Sequence, residues 1–151
     1  MNKRVLAIAL IAFLGMVDAF YLSIKRGSGH IPCHVTHGCE EVLTSKYSEV
    51  VGIPLSWFGL AFYLAVFGCA VFALSGSPSA IRLVFWPAMA GFLVSVSLLS
   101  IQAFVLHAYC EYCLLSALLV TSIFALSYFE RANRHTPLES HSQAEASAFH
   151  D

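Results

Sequence analysis

Residues 110–129 read Cys110-Glu-Tyr-Cys-Leu-Leu-Ser-Ala-Leu-Leu-Val-Thr-Ser-Ile-Phe-Ala-Leu-Ser-Tyr-Phe129, an apolar run that opens with a Cys-x-x-Cys pair. An apolar helix of about twenty residues crosses the roughly 30 Å hydrocarbon core of a bilayer. We therefore interpret this run as a membrane-spanning helix with two cysteines in its first turn. The unpaired N–H groups and the dipole of a helix N-terminus favour a thiolate, so the pair is a candidate for redox chemistry.

The composition of the whole chain also indicates a membrane protein. Of its 151 residues, 58% are hydrophobic and 11% are charged, which is more apolar surface than a core of this size can bury. Lipid must cover the remainder. The net charge of −1 leaves no basic stripe, so nucleic-acid binding is not expected.

Three further apolar runs are long enough to cross a bilayer. We predict an all-α integral membrane protein, a bundle of four transmembrane helices with spans at about 5–24, 54–74, 80–106 and 110–129. A cleaved signal peptide is the alternative for the first run, but that run lacks a small-x-small cleavage site. Residues 1–131 would then form the membrane domain, and residues 132–151, which are polar and aperiodic, a disordered cytoplasmic tail.

A long polar loop between the first two spans carries a second cysteine pair, Cys33 and Cys39. Four spans place both termini on one side of the membrane and both cysteine pairs on the other. Positive charges favour the cytoplasmic side, and they number five on the side of the termini against three on the other: Lys3, Arg4, Arg82, Arg131 and Arg134 against Lys25, Arg26 and Lys46. We expect cytoplasmic termini and an outward-facing cysteine surface, where disulfides persist.

Two dithiols on one face can pass electrons by thiol–disulfide exchange. A soluble dithiol partner would attack the Cys33–Cys39 disulfide, and the released Cys39 would attack Cys110. Cys113 lies one helical turn deeper, where a lipid-soluble acceptor such as a quinone would be found. The remaining cysteine, Cys69, is expected to be an inert packing residue.

Other interpretations of the loop remain open. Cys33, His34, His37 and Cys39 have the ligand types and close spacing of a zinc site, so a metal-binding membrane protein is the alternative function. A structural subunit with incidental disulfides is a third possibility. In the first span, Asp18 is an acid within an apolar run, which suggests a polar pocket in the bundle.

The order of these motifs resembles the vitamin K epoxide reductase family in its bacterial form. The resemblance covers about Gly15 to Phe129 and comprises Cys33 and Cys39 after helix one, Ser45 six residues later, the segment Gly52-Ile-Pro-Leu-Ser-Trp-Phe-Gly59 opening helix two, and Cys110-Glu-Tyr-Cys113 opening helix four. In quinone reductases of the DsbB type, by contrast, the Cys-x-x-Cys belongs to the first outer loop. The resemblance implies a helical bundle around a quinone, with helix one outside or beside it and a partly helical loop capping the pocket.

The resemblance also implies roles for individual residues. Cys33 would form the mixed disulfide with the partner, Cys39 would relay it to Cys110, and Cys113 would face the quinone, either ubiquinone or menaquinone. Supporting contacts to the quinone would come from Ser45, Ser56 and Asp18.

Two departures from the family pattern narrow the expected activity. The asparagine and tyrosine that hold the quinone oxygens in the animal enzymes correspond here to Leu55 and Ala117. We therefore expect disulfide formation coupled to quinone reduction rather than epoxide reduction. Many bacterial relatives carry a fused thioredoxin-like domain that this sequence lacks. The expected partner is therefore a separate, extracytoplasmic DsbA-like protein of the thioredoxin fold. The chain itself is expected in a bacterial inner membrane.

Overall fold

Four long helices form the structure, a computed structural model that describes residues 3–27, 33, 38–76 and 79–148, without the side chains of 79–81 and 133–148. The helices are α1 (Lys3–Gly27), α3 (Leu55–Leu74), α4 (Ser79–Ile101) and α5 (Glu111–Ala148). Each contains a segment long and apolar enough to cross a membrane. The predicted fold class, an all-α bundle of four transmembrane helices, is confirmed.

The connection from α1 to α3 contains several short elements. A short helix α2 (Cys39–Thr44) leads into a single 3₁₀ turn (Lys46–Ser48), and strands β1 (Glu49–Val50) and β2 (Ile53–Pro54) pair antiparallel. The tip of this hairpin turns through two residues with positive φ, Val51 and Gly52. Pro54 fixes the backbone directly before α3, where its missing N–H costs no helical hydrogen bond.

The helix faces that meet inside the bundle carry small side chains. In α1 the buried positions recur with helical spacing and include Ala12, Gly15 and Ala19, which allows α3 to approach closely. A Cβ built at Gly15 would lie 2.2 Å from Cε1 of Tyr63 on α3, so only glycine fits there. The Tyr63 hydroxyl in turn lies 2.8 Å from the hydroxyl of Ser116 on α5. One buried aromatic side chain thus connects three helices.

In the part of the chain that the structure describes, the outer faces of the helices carry exposed apolar side chains. These side chains are about half exposed or more in the isolated chain, a pattern that a lipid surface explains; they include Leu14, Phe20, Leu64, Phe72, Leu83, Trp86 and Leu118. Together with the four helices that are long and apolar enough to cross a membrane, these surfaces indicate an integral membrane protein.

The end of α4 departs from regular helix. Gln102–Leu106 forms a wider π-helical turn, and His107 then reverses the chain in the left-handed conformation with φ of 50°. The N–H of Ala108 donates to the carbonyl of Gln102 over 3.2 Å. Such π turns are frequent at functional sites, and this one leads directly to Cys110.

Helix α5 extends past its predicted end. The sequence predicts a span ending near Phe129 and a disordered tail over 132–151, whereas the helical backbone continues to Ala148. The part that is apolar enough to span a membrane is Glu111–Ala132. Extending an existing helix costs much less than nucleating a new one, which accounts for the continued helix in a polar sequence.

Candidate redox site

The first cysteine pair forms a disulfide at the entrance to α2. Cys33 and Cys39 are bonded, with their Cα atoms 5.9 Å apart. The backbone N–H of Cys39 also donates to Sγ of Cys33 over 3.2 Å. Cys39 is fully buried, whereas Cys33 is partly exposed. A thiol arriving from solvent would therefore meet Cys33 first.

The second pair lies against the first at the same end of the bundle. Cys39 and Cys110 belong to one buried cluster, onto which Cys33 and Cys113 also pack. The close approach is made at Gly38, where a Cβ would lie 2.8 Å from the backbone nitrogen of Tyr109. The structure thus brings together all four cysteines that the sequence singled out.

Cys110 is held at the start of α5 by Gln102. Its backbone N–H donates to Oε1 of the buried Gln102 side chain over 3.1 Å, while the main-chain carbonyl of the same residue accepts from Ala108. One residue of the π turn therefore fixes both ends of the link that leads to the cysteine. The sequence does not indicate this role for Gln102, because its local signal is only an amide near the end of an apolar span.

Cys110 and Cys113 are thiols in the structure and interact directly. A hydrogen bond from Cys113 lowers the pKa of the Cys110 thiol, and backbone N–H groups of the first turn of α5 act in the same direction, against the opposing effect of burial. The helix N-terminus was expected to favour a thiolate on these grounds. Cys110 lies directly before the first residue of α5, and Cys113 lies within its first turn.

An apolar cavity of about 380 Å³ opens beside this pair, within the bundle. Its walls come from α1, α3, α4, α5 and the loop after α2, and Cys113 is part of the lining. Cys110 is fully buried and is not among the lining residues. Two cysteines one turn apart thus face different neighbours: Cys110 meets the disulfide, and Cys113 meets the cavity.

The loop after α2 covers one side of the cavity and is tied to α1. Arg26 donates from Nη1 to the Ser48 hydroxyl over 2.9 Å and to the Ser48 carbonyl over 3.3 Å, and its Nη2 pairs with Glu49. The Ser48 hydroxyl also lies 2.7 Å from the carbonyls of Leu43 and Ser45. This network holds the covering loop, and no local sequence pattern had pointed to Arg26.

A family model described as "Vitamin K epoxide reductase family" matches residues 6–128. That match covers most of the chain, including both cysteine pairs and all or most of each of the four spans. The chain belongs to this family. Members are membrane oxidoreductases of thiols and disulfides that use quinone-type electron carriers and generally act with thioredoxin-like partners.

The residues around the cavity fit the quinone that the family uses. A cavity of this size is within the range of roughly 300–1,000 Å³ that small-molecule sites occupy, and its lining is mostly apolar. Two buried polar atoms in that lining, Oδ2 of Asp18 and Oγ of Ser56, have no hydrogen-bond partner among the described residues. Buried polar atoms are nearly always paired, so a ligand with hydrogen-bonding oxygens suits this cavity.

The positions highlighted by the family resemblance also line the cavity. Ser45 does so with its hydroxyl donating to the Val42 carbonyl over 2.7 Å. Leu55 and Ala117, the positions at which the resemblance implied a departure from the animal enzymes, lie in the lining as apolar side chains. Helix α1 forms part of the wall through Asp18, so it lies beside the cavity, which is one of the two positions that the resemblance implied.

Only two of the four residues of the alternative zinc site, Cys33 and Cys39, belong to the described part of the chain. His34 and His37 lie outside the described residues. Among the residues that are described, no group of three or more potential ligands could hold a metal ion.

Proposed function

We propose that this protein oxidises a separate DsbA-like thioredoxin-fold protein outside the cytoplasm and passes the two electrons to a membrane quinone, ubiquinone or menaquinone. The proposal rests on the environments of the four cysteines, which change step by step from solvent to the cavity. Cys33 is partly exposed, Cys39 and Cys110 share a buried cluster, and Cys113 lines an apolar cavity. Electrons can therefore enter from solvent and leave towards the lipid phase.

The proposed thiol steps follow from this arrangement. A thiolate of the partner attacks Cys33, the Cys33–Cys39 bond breaks, and Cys39 leaves as a thiolate. The partner's second thiol then displaces Cys33, so that the partner leaves with a disulfide and the loop pair is reduced. Each displacement exchanges one sulfur–sulfur bond for another and conserves electrons.

The relay to the inner pair repeats this chemistry within the cluster. Cys39 attacks the sulfur of Cys110 in an oxidised Cys110–Cys113 pair, Cys113 leaves, and Cys33 then displaces Cys110 to restore the loop disulfide. The loop pair is oxidised again and the inner pair carries two electrons and two protons. The bonds in the structure correspond to this state of the relay, because Cys33 is joined to Cys39 and the inner pair are thiols. A quinone bound in the cavity would supply the acceptor for those electrons and protons.

The orientation in the membrane is part of the proposal. Arg4 at the start of α1 and Glu130 near the end of the α5 span form an ion pair with an N–O distance of 3.6 Å, so these two ends lie on the same side. The disulfide cluster lies at the opposite end, beside Leu22. With the positive-charge bias of the sequence, this supports cytoplasmic termini in a bacterial inner membrane and an outward-facing disulfide.

The test is oxidation of a reduced thioredoxin-fold protein by the purified chain with a short-chain ubiquinone or menaquinone. Cys113→Ser should abolish quinone reduction while the loop disulfide can still exchange with the partner. Cys69→Ser is the matched control, because Cys69 lies in α3 among core residues away from the cluster, and it should keep wild-type turnover. Turnover retained by Cys113→Ser would remove the mechanism.

A further inference from the structure

Asp18 is a carboxyl group buried in the membrane-spanning part of α1. It is 8% exposed and lines the cavity together with Cys113. Its Oδ2 has no hydrogen-bond partner among the described residues. Placing an acid at such a position costs free energy. In membrane proteins, an acid inside a span therefore marks a functional group or a proton path.

Among the described residues, no cation is placed to neutralise Asp18. The residues that interact with it electrostatically are Tyr63 on α3 and the thiols of Cys110 and Cys113 at the start of α5. Arg26 lines the same cavity but lies about 12 Å further along α1 at 1.5 Å per residue, and it is engaged with the covering loop. An unpaired carboxylate in this setting would cost several kcal/mol, so Asp18 is held as the neutral acid.

The other polar groups of the cavity are poorly suited to carry a proton. The Tyr63 hydroxyl is engaged with the carbonyl and hydroxyl of Ser116, at 3.0 and 2.8 Å. Ser56 offers an alcohol and Gln102 an amide, neither of which exchanges a proton readily at neutral pH. Apart from the thiol of Cys113 itself, Asp18 is the described lining residue best suited both to hold a proton and to release it.

We propose that Asp18 carries a proton between the inner cysteine pair and the quinone, an inference that rests on the proposed function. The acid form of Asp18 gives its proton to a quinone oxygen and regains one from a thiol of the Cys110–Cys113 pair. The second thiol proton reaches the other oxygen. Overall, the pair loses two electrons and two protons and gains a disulfide bond, the quinone becomes a quinol, and Asp18 is unchanged.

The test compares Asp18→Asn with Asp18→Glu and with a control, Val17→Ala, whose side chain is half exposed on the outer face of α1. The Asn variant keeps a hydrogen-bond donor but cannot transfer a proton. We expect its kcat with short-chain ubiquinone to fall by about 100-fold or more, the usual minimum contribution of a positioned acid, with KM changed less than threefold. The Glu variant should recover at least a tenth of wild-type kcat.

Two further measurements do not depend on turnover. Infrared difference spectroscopy of the wild type should show the carbonyl band of a protonated carboxyl that shifts when short-chain ubiquinone is added, and Asp18→Asn should lack that band. Acid quenching and alkylation in the absence of quinone should show the same rate of electron transfer from the loop pair to the inner pair in both proteins. Because the infrared band is measured on the wild type, it tests the proposal even if a variant does not fold.

The proposal is overturned if Asp18→Asn keeps wild-type kcat, or if the wild type lacks the carboxyl band. A raised KM with unchanged kcat would also overturn it, because Asp18 would then only bind the quinone. These outcomes leave the proposed function intact as long as Cys113→Ser is inactive. Failure of the wild type to reduce quinone at all would instead remove the proposed function itself.

Discussion

Replacing Gly38 by alanine should slow electron transfer between the two cysteine pairs without affecting the quinone site. The added Cβ would lie 2.8 Å from the Tyr109 nitrogen, 2.9 Å from the Ala108 Cβ and 3.0 Å from the Tyr109 carbonyl oxygen. Ordinary contact begins at 3.4 Å, so the two segments must separate by about 0.6 Å. Gly38 has a φ of −97°, which alanine adopts freely, so the effect would come from this contact alone.

The expected magnitude follows from that displacement. A 1 Å misplacement of reacting groups costs up to about 100-fold in rate, so 0.6 Å between Cys39 and Cys110 should cost roughly tenfold. The overpacked contact should also lower the free energy of unfolding by about 1–3 kcal/mol. Gly27→Ala is the matched control, because a Cβ there meets no atom within 4 Å.

The assay separates the relay from the quinone step. The loop pair is reduced in protein whose inner pair is oxidised, and the appearance of inner thiols is followed by acid quenching, alkylation and mass spectrometry. Quinone reduction from a fully reduced inner pair should proceed at the wild-type rate in Gly38→Ala. Equal relay rates in the wild type, Gly38→Ala and Gly27→Ala would refute the contact as the determinant of the cysteine approach.

Three other predictions test separate parts of the site. Gly15→Ala places a methyl group 2.2 Å from the Tyr63 ring, so its melting temperature in detergent should fall; an unchanged value would contradict the packing of α1 on α3. Gln102→Leu leaves the Cys110 N–H without its acceptor, a loss of about 1–3 kcal/mol, and denaturant unfolding should show it, whereas Gln102→Glu, which keeps an acceptor, should lose less. Cys113→Ala removes the hydrogen bond that most lowers the pKa of the Cys110 thiol, so thiolate absorbance of Cys110 should appear at higher pH than in Cys113→Ser, and the reverse order would refute this cause.

The architecture could be predicted from the sequence because its signals are local. Length and apolarity give each span, and Pro54 gives the start of α3 to within one residue. The even number of spans then places Cys33 and Cys110 at one end of the bundle, where the structure has them. The family resemblance also implied a partly helical loop, and α2 is present there.

The contacts that arrange the site were not predictable in the same way. Gln102 bonds to Cys110 only because a π turn and the left-handed His107 bring the chain back on itself. Arg26 reaches the loop residue Ser48 across 22 positions of sequence, and neither residue belongs to a recognisable pattern. Such pairings depend on how helices pack, which hydropathy and motif spacing do not encode. The sequence indicates Asp18 and Ser56 as candidates, but only the fold shows that Oδ2 of Asp18 and Oγ of Ser56 have no hydrogen-bond partner among the described residues.

The burial of the central sulfurs explains how such a relay could avoid losing electrons to the wrong thiols. Cys39 and Cys110 are both 0% exposed, whereas Cys33 is partly exposed, so a solvent thiol would enter the path at Cys33. Exchange rates depend on access as well as on thiolate character, and a lowered pKa at an exposed Cys110 would invite attack from any small thiol. Because this sulfur is enclosed between the disulfide and the cavity, Cys110 can be a good leaving group and still react only with the loop pair and Cys113. Specificity for the partner would then reside at Cys33, and specificity for the acceptor at the cavity beside Cys113.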